Sequence, residues 1–272
     1  MIKLSMPKKW SLAIEVKKRK ELCNLYVKKN LTIGEISKII KISQGSVYDR
    51  LLRLGIKSTP HLKKGYKNFK NIPLPKLSCD LAECVGILLG DGHISFQQVF
   101  IMLGNKEGPY VQYVRNLFWK VFKIEPKLIT RNGGYSVLYF SSVKIIKFLS
   151  DMGLVSNKVK YQVSVPGWIF RSNRFGERFL RGFFDTDGSA YNLKFGFQVS
   201  FCNSSRPLLE NSRDILIKLG YKPSRISLKN LYLTRKSDLI NFLYRIRPAN
   251  INKYSRLENY IARVGTQVDN EG

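Results

Sequence analysis

Downstream of residue 77 the apolar positions run in an order that is played twice. A dense apolar stretch, "LAECVGILLGDGHIS", gives way to strand-like alternation over 93–104, then to helical spacing that stops at Pro126. A hairpin turning at Asn132-Gly133-Gly134 and a last helix containing Phe148 complete the set. The second passage starts at "RFLRGFFDTDGSAY", alternates over 189–202, stops a helix at Pro223, turns at Lys229-Asn230 and ends in a helix containing Phe242. Asp187 thus stands 96 residues after Asp91, and the later landmarks keep that register. Each half reads α-β-β-α-β-β-α, and two such units in one chain make a pseudo-symmetric pair.

Ahead of the repeats, Ile33, Ile36, Ile39 and Ile40 are spaced as one face of a helix, with Thr32 and Glu35 forming a capping box at its start. A turn at Lys41-Ile42, a cap at Ser43 and a second stripe of Val47, Leu51 and Leu54 stopped by Gly55 follow. This pattern resembles a helix-turn-helix, whose second helix enters the major groove. Its candidate readers are Gln44, Ser46, Tyr48, Asp49, Arg50 and Arg53, and a plain helical hairpin with solvated charges is the competing reading. From Lys57 to Lys76 the chain turns to prolines, glycine and lysines without apolar periodicity, which reads as a linker. The expected organisation is a small all-α domain over 1–57, a basic linker over 58–76, a first repeat over 77–155, a connector over 156–176, a second repeat over 177–265 and a tail over 266–272.

Composition narrows the partner. Among 272 residues, 47 Lys and Arg face 19 Asp and Glu, a net charge of +28 that favours a polyanion. Residues 1–76 hold 19 basic against 4 acidic residues, so charge density peaks in the first quarter. No apolar run approaches the roughly 20 residues needed to span a bilayer, and no signal-peptide core follows Lys3, Lys8 and Lys9, so no membrane partner is expected. Cys23, Cys79, Cys84 and Cys202 form no CxxC pair and His61 and His93 sit in no zinc pattern, which argues against a zinc site and for a reducing, cytoplasmic interior.

Two apolar helices, about 81–91 and 178–187, carry small residues four apart, Gly86 with Gly90 and Gly182 with Thr186. That spacing lets two backbones approach closely. If they pack on the pseudo-twofold axis, Asp91 and Asp187 emerge side by side at the negative ends of two helix dipoles. Paired carboxylates there repel one another unless a cation intervenes. Oxygen donors suit Mg²⁺, with Mn²⁺ as a substitute, and such an ion supports in-line phosphoryl displacement.

"CVGILLGDG" and "LRGFFDTDG" resemble the paired signatures of LAGLIDADG homing endonucleases in their single-chain, two-motif form, over roughly residues 78–262. The segment "GLVSNKVKYQVSVPGWIF" is similar to the joint between the halves of archaeal-type and intein-associated members. The resemblance implies an α+β fold, a saddle of two four-stranded antiparallel sheets lying along the major groove of double-stranded DNA, and Mg²⁺-dependent cutting of both strands by a monomer. It makes Asp91 and Asp187 the metal-binding acids, with the carbonyls of Gly90 and Thr186 as auxiliary ligands. Asp185 fills the sixth place of its motif where the first has Leu89, so a helix-end structural or a solvent-facing role is expected for it rather than one in the catalytic centre. Lys106 and Lys158 are the candidate catalytic lysines, and Asn105, Asn203 and Lys253 are further polar or basic candidates near metal or DNA. Some relatives carry a lysine three residues after the second acid, where this chain has Ala190.

Groove-facing strand residues would read the target, with Gln97, Gln98, Arg131, Asn192, Lys194, Gln198, Lys229, Tyr232 and Arg235 as candidates. Three functions are compatible with this pattern: a site-specific DNA endonuclease, a DNA-binding regulator that kept the fold without cutting, and an RNA maturase acting on intron RNA. Retention of both acids favours the first. The "VDNEG" ending lacks the His-Asn of self-splicing proteins, which points to an intron-encoded or free-standing gene.

Overall fold

The structure is a computed structural model that describes residues 12–29, 31–56, 72–95, 97–104, 107–131, 133–194 and 196–269. The chain divides into two compact units, residues 1–67 and 68–272. The division falls inside the expected linker.

The first unit contains α1 (Leu12–Cys23), a wider π-type turn (Asn24–Lys28), α2 (Ile33–Ile40) and α3 (Gln44–Arg53). The capping box forms as its residues dictate: Thr32 Oγ1 accepts from Glu35 N at 3.2 Å, and Glu35 Oε2 accepts from Thr32 N at 2.8 Å. Ser43 Oγ accepts from Ser46 N at 3.1 Å to start α3, and Gly55 adopts φ +62° just past its end. Ile36, Val47 and Leu51 bury the shared apolar stripe together with Leu22, Tyr26 and Ile56. Among the described side chains from Leu12 to Lys28, Leu22 and Tyr26 are buried in this core, with Cys23 and Leu25 packed beside them.

The second unit is mixed α and β with two antiparallel sheets. Its first half comprises α4 (Cys79–Leu89), β1 (Gly92–Ile94), β2 (Val99–Gly104), α5 (Gly108–Phe122), β3 (Lys127–Arg131), β4 (Tyr135–Phe140) and α6 (Val143–Asp151). The strands order as β1-β2-β4-β3. A short 3₁₀ turn (Gly167–Arg171) leads to α7 (Asn173–Asp187), which begins inside the expected connector. Then follow β5 (Gly188–Leu193), β6 (Gly196–Cys202), α8 (Arg206–Lys218), β7 (Asn230–Leu233), α9 (Lys236–Asn241), a π-type turn (Phe242–Ile246) and α10 (Ile251–Asp269).

The second sheet has three strands, β5-β6-β7, in place of the four implied by family resemblance. The chain over 224–227 runs beside β7 but does not complete a ladder. Ser224 N donates to the Tyr232 carbonyl at 2.9 Å, yet Tyr232 N returns to the Ser224 hydroxyl, and Arg213 Nε takes the Ser224 carbonyl at 3.0 Å. Ser227 and Asn230 close a single bridge around Leu228, whose φ is +51°. Side-chain substitution for a backbone acceptor is the local reason the fourth strand is lost.

Alternation sorts each sheet into a buried face and an open one. Val99, Ile101, Leu103, Leu138 and Phe140 point into the core from the first sheet, and Ala190, Phe197, Val199, Phe201, Leu231 and Leu233 from the second. One continuous apolar core takes in both halves and the α4–α7 pair.

Candidate functional site

The glycines of α4 and α7 set the distance between the helices. A Cβ on Gly86 would overlap the Phe179 carbonyl oxygen and stand 2.7 Å from Phe183 N. A Cβ on Gly182 would overlap the Glu83 carbonyl oxygen and stand 3.0 Å from Ile87 N. The two backbones therefore touch directly, with no side chains between them. Toward their starts, Arg178 pairs with Asp80 at 3.0 Å and with the fully buried Glu83 at 2.6 Å. That network lines the helices up so that their C-terminal ends meet.

At that meeting point stand the two acids. Asp91 follows Gly90, the last turn of α4, and leads into β1, while Asp187 ends α7 and leads into β5. A Cβ on Gly90 would lie 3.4 Å from the Asp187 carboxyl carbon and would collide with the Thr186 hydroxyl, so only glycine fits between the helix end and the acid. Both carboxylates are half-buried. Burial, joined by the negative charge of Asp187, pushes the Asp91 carboxyl up to about 6 against the pull of Lys253 and Lys158. Burial raises Asp187 as well, opposed by Asn203, whose Nδ2 donates to Asp187 Oδ2 at 2.5 Å, and by the two lysines.

Those lysines occupy equivalent places. Lys158 Nζ donates to the carbonyls of Leu88 at 3.3 Å, Leu89 at 3.1 Å and Gly90. Lys253 Nζ donates to the carbonyls of Phe184 at 3.0 Å, Asp185 at 2.8 Å and Thr186 at 3.0 Å. Each ammonium thus closes the unsatisfied carbonyl end of one helix, where the dipole favours a cation. Burial lowers the basicity of both; Asp187 and Asp91 pull Lys158 back up, and Asp185 and Glu107, ahead of the acid pair, pull Lys253 back up. Lys253, expected near metal or DNA, closes α7 beside the acid pair as Lys158 closes α4.

Asp185, expected in a helix-end structural role or facing solvent, takes the structural one. It is 3% exposed and accepts from Ala249 N at 2.8 Å and Asn250 N at 3.1 Å, which ties down the start of α10. Burial pushes its carboxyl up to about 7 against those two hydrogen bonds. Through α10 it also fixes Lys253. Asn250 caps the same helix and reaches across to Glu107, donating from Nδ2 to Oε1 at 2.7 Å. Sequence reasoning missed both. Asn250 three residues before Lys253 was detectable as an N-cap, whereas Glu107 carries no local signal.

The donor set fits a hard divalent cation: two carboxylates that repel each other, and two carbonyl oxygens that each keep a second lone pair beside the lysine they accept from. Among the described residues no cluster of three or more His, Cys, Asp and Glu occurs, so most of the coordination shell would be left to water and phosphate oxygens, the usual preference of Mg²⁺.

The candidate DNA readers scatter by register. Gln198 and Tyr232 lie on the open face of the second sheet, where Tyr191, not among the candidates, donates its hydroxyl to Gln198 Oε1 at 3.0 Å. Asn192 pairs with Phe197 and so belongs to the opposite face, beside Arg256 and Asn259 of α10, which corrects its assignment to the groove. Arg131 and Gln98 edge the open face of the first sheet. Gln97 is exposed in the turn between β1 and β2, Lys194 and Lys229 are exposed in turns, and Arg235 is exposed just before α9. In the first unit Gln44, Tyr48 and Arg53 are exposed and Arg50 is half-buried, while Ser46 is engaged with the Ser43 hydroxyl at 2.9 Å. Asn105 and Lys106 lie outside the described residues.

Residues 175–247 match a family model described as LAGLIDADG-like domain. No curated protein matches the chain. Among solved structures, mesophilic variants of the homing endonuclease I-DmoI share 17% identity at a TM-score of 0.46, covering 62% of this chain and 95% of that one. The LAGLIDADG meganuclease I-AabMI bound to uncleaved DNA shares 12% at 0.48, covering 71% and 92%. Full-length DUF199/WhiA from Thermatoga maritima shares 16% at 0.47, covering 72% and 63%. Over residues 175–247, which hold most of α7, Asp187 and the second sheet, the chain carries a LAGLIDADG-like domain.

Proposed function

We propose that the protein is a divalent-metal-dependent endonuclease that cuts both strands of double-stranded DNA at a specific site. The observation that carries this reading is the placement of Asp91 and Asp187 together at the touching ends of α4 and α7, each beside a lysine-closed helix end. Asp91 and Asp187, with the Gly90 and Thr186 carbonyls, would hold Mg²⁺ or Mn²⁺. When bound, such an ion activates water and stabilises the leaving oxygen of a phosphodiester.

The remaining work belongs to the chain. Asn203 fixes the rotamer of Asp187, and Lys158 and Lys253 keep positive charge beside an acid pair that must meet phosphate. The excess of basic residues draws DNA in, and α3, with Gln44, Tyr48 and Arg53 exposed, extends the contact as the reading helix of a helix-turn-helix.

The test uses plasmids carrying the gene's own flanking sequence with the insertion removed, incubated with the full-length protein and Mg²⁺. Asp91→Asn and Asp187→Asn each abolish double-strand cutting while DNA binding in a gel-shift assay persists. Unimpaired cutting by either variant would remove the assigned mechanism, and binding without cutting by the natural protein would make it a regulator.

A further inference from the structure

The open faces of the two sheets are built from different chemistry. On the first sheet the register puts Phe100, Met102, Ile129, Tyr135, Val137 and Tyr139 on the open side, around a shallow depression of about 450 Å³. Met102 is 53% exposed and Tyr135 40%. Lys127 and Arg131 belong to the same face, on its edge strand. On the second sheet the equivalent side presents Ser189, Tyr191, Gln198, Asn230 and Tyr232, whose side chains can donate or accept hydrogen bonds, with Leu193 as its exposed apolar residue at the end of β5.

Apolar side chains gathered on an open sheet face cost solubility unless something covers them. The occupant must be apolar at the centre and anionic at the margin, because two cations lie on the edge strand of the same face. The face is also continuous with the acid pair: His93, on the same open side as Phe100, is two residues from Asp91. In the major groove the one apolar group a base pair displays is the thymine C5-methyl, and the phosphates lie to either side.

We infer that the two half-sites are read by different means, the half under the first sheet through thymine methyl groups seated against its apolar face and the half under the second sheet through hydrogen bonds to base edges. This rests on the reading of the protein as a site-specific DNA binder and names the chemistry of that specificity. Met102, Val137 and Ile129 are the specificity-determining side chains on one side, Gln198 and Tyr191 on the other.

The full-length protein is used to select bound sequences from a randomised duplex library in Ca²⁺. Every thymine of the selected site is then replaced in turn by deoxyuridine, which removes only the methyl. Each replacement in one half weakens binding about fourfold, and two neighbouring replacements about fifteenfold, the loss expected for burying one and two methyl-sized groups; replacements in the other half change little. The exposed variant Met102→Gln, combined with Val137→Thr, abolishes the deoxyuridine effect in the sensitive half and leaves the base preferences of the other half intact, which identifies the sensitive half as that of the first sheet. Deoxyuridine sensitivity that is absent, or equal in both halves, overturns the inference while leaving the endonuclease reading standing. Base preferences unchanged in the double variant together with loss of self-association would assign the face to a second copy of the chain and overturn it too. Failure to select any sequence overturns the reading of a site-specific protein and this inference with it.

Discussion

The two repeats agree most closely where they touch and diverge with distance from that contact. At the centre, Gly86 faces Phe179 as Gly182 faces Glu83, and Lys158 closes α4 as Lys253 closes α7. Further out, the first sheet has four strands and an apolar open face, the second three strands and a polar one. Asp187 is held by Asn203, whose counterpart Asn105, just after β2, lies outside the described residues. A pair of acids that must share one centre tolerates little difference between its two supports. The sheet faces lie outside that contact and are free to drift apart.

The equivalence at the centre is the easiest part to break. Gly86→Ala and Gly182→Ala each place a methyl group where backbone of the opposite helix already stands, and each is expected to destabilise by about 3 kcal/mol or more, beyond ordinary overpacking because neither backbone can yield. Gly108→Ala, with nothing within 4 Å of the added carbon, serves as the control and should stay within about 0.5 kcal/mol. Urea midpoints measure all three. A large loss at one central glycine and none at the other would show that the contact is not the symmetric one described.

A smaller effect probes the support of a single acid. Asn203→Ala frees the Asp187 carboxylate without removing it, and a supporting residue of this kind typically accounts for 10–100-fold in metal affinity or activity. Cleavage is expected to slow by about that factor, with DNA binding unchanged and nicked circles accumulating as one strand lags. Equal slowing of both strands would mean that Asn203 supports the whole centre rather than the second acid.

How legible this was follows from the range of the forces involved. The helix pair, its close approach and both acids could be read directly, because small residues four apart and an acid at each end constitute a local pattern that tertiary contact merely realises. The capping box at Thr32 and the cap at Ser43 were legible for the same reason. Lys158 and Lys253 could be named but their role as helix-end closures could not, because each lysine acts on carbonyls about 70 residues away in the chain. Asp185 looked dispensable since Leu89 stands at its place in the first motif, yet it anchors α10, an element with no counterpart pattern upstream. Strand parity for Asn192 needed the register with β6, which spacing alone does not set. The lost fourth strand turned on Ser224 offering a hydroxyl where a ladder needs a carbonyl.

That same mismatch at the sixth place gives the mildest and most specific prediction. Asp185 in the folded protein holds its proton up to about 7, while the unfolded chain releases it near the ordinary 3.8. The folded state therefore binds the extra proton, and the stability this contributes is fully present below 3.8 and is lost as pH rises through 7. One group changes stability by at most about 1.4 kcal/mol per pH unit, so the step from pH 6 to 7 should cost about 1 kcal/mol. Asp91, held up to about 6, adds its own loss at lower pH in metal-free protein, and Mg²⁺ should offset that part by favouring the carboxylate. Thermal midpoints of the metal-free protein, taken from pH 5 to 8 in the natural chain and in Asp185→Asn, isolate the Asp185 share. The variant keeps an acceptor for one of the two backbone N–H groups but cannot titrate, so its midpoint should fall less steeply between pH 6 and 7. Because Leu89 has nothing to titrate, that difference belongs to the second repeat alone; parallel curves for the two proteins would mean that α10 is held independently of the charge on Asp185.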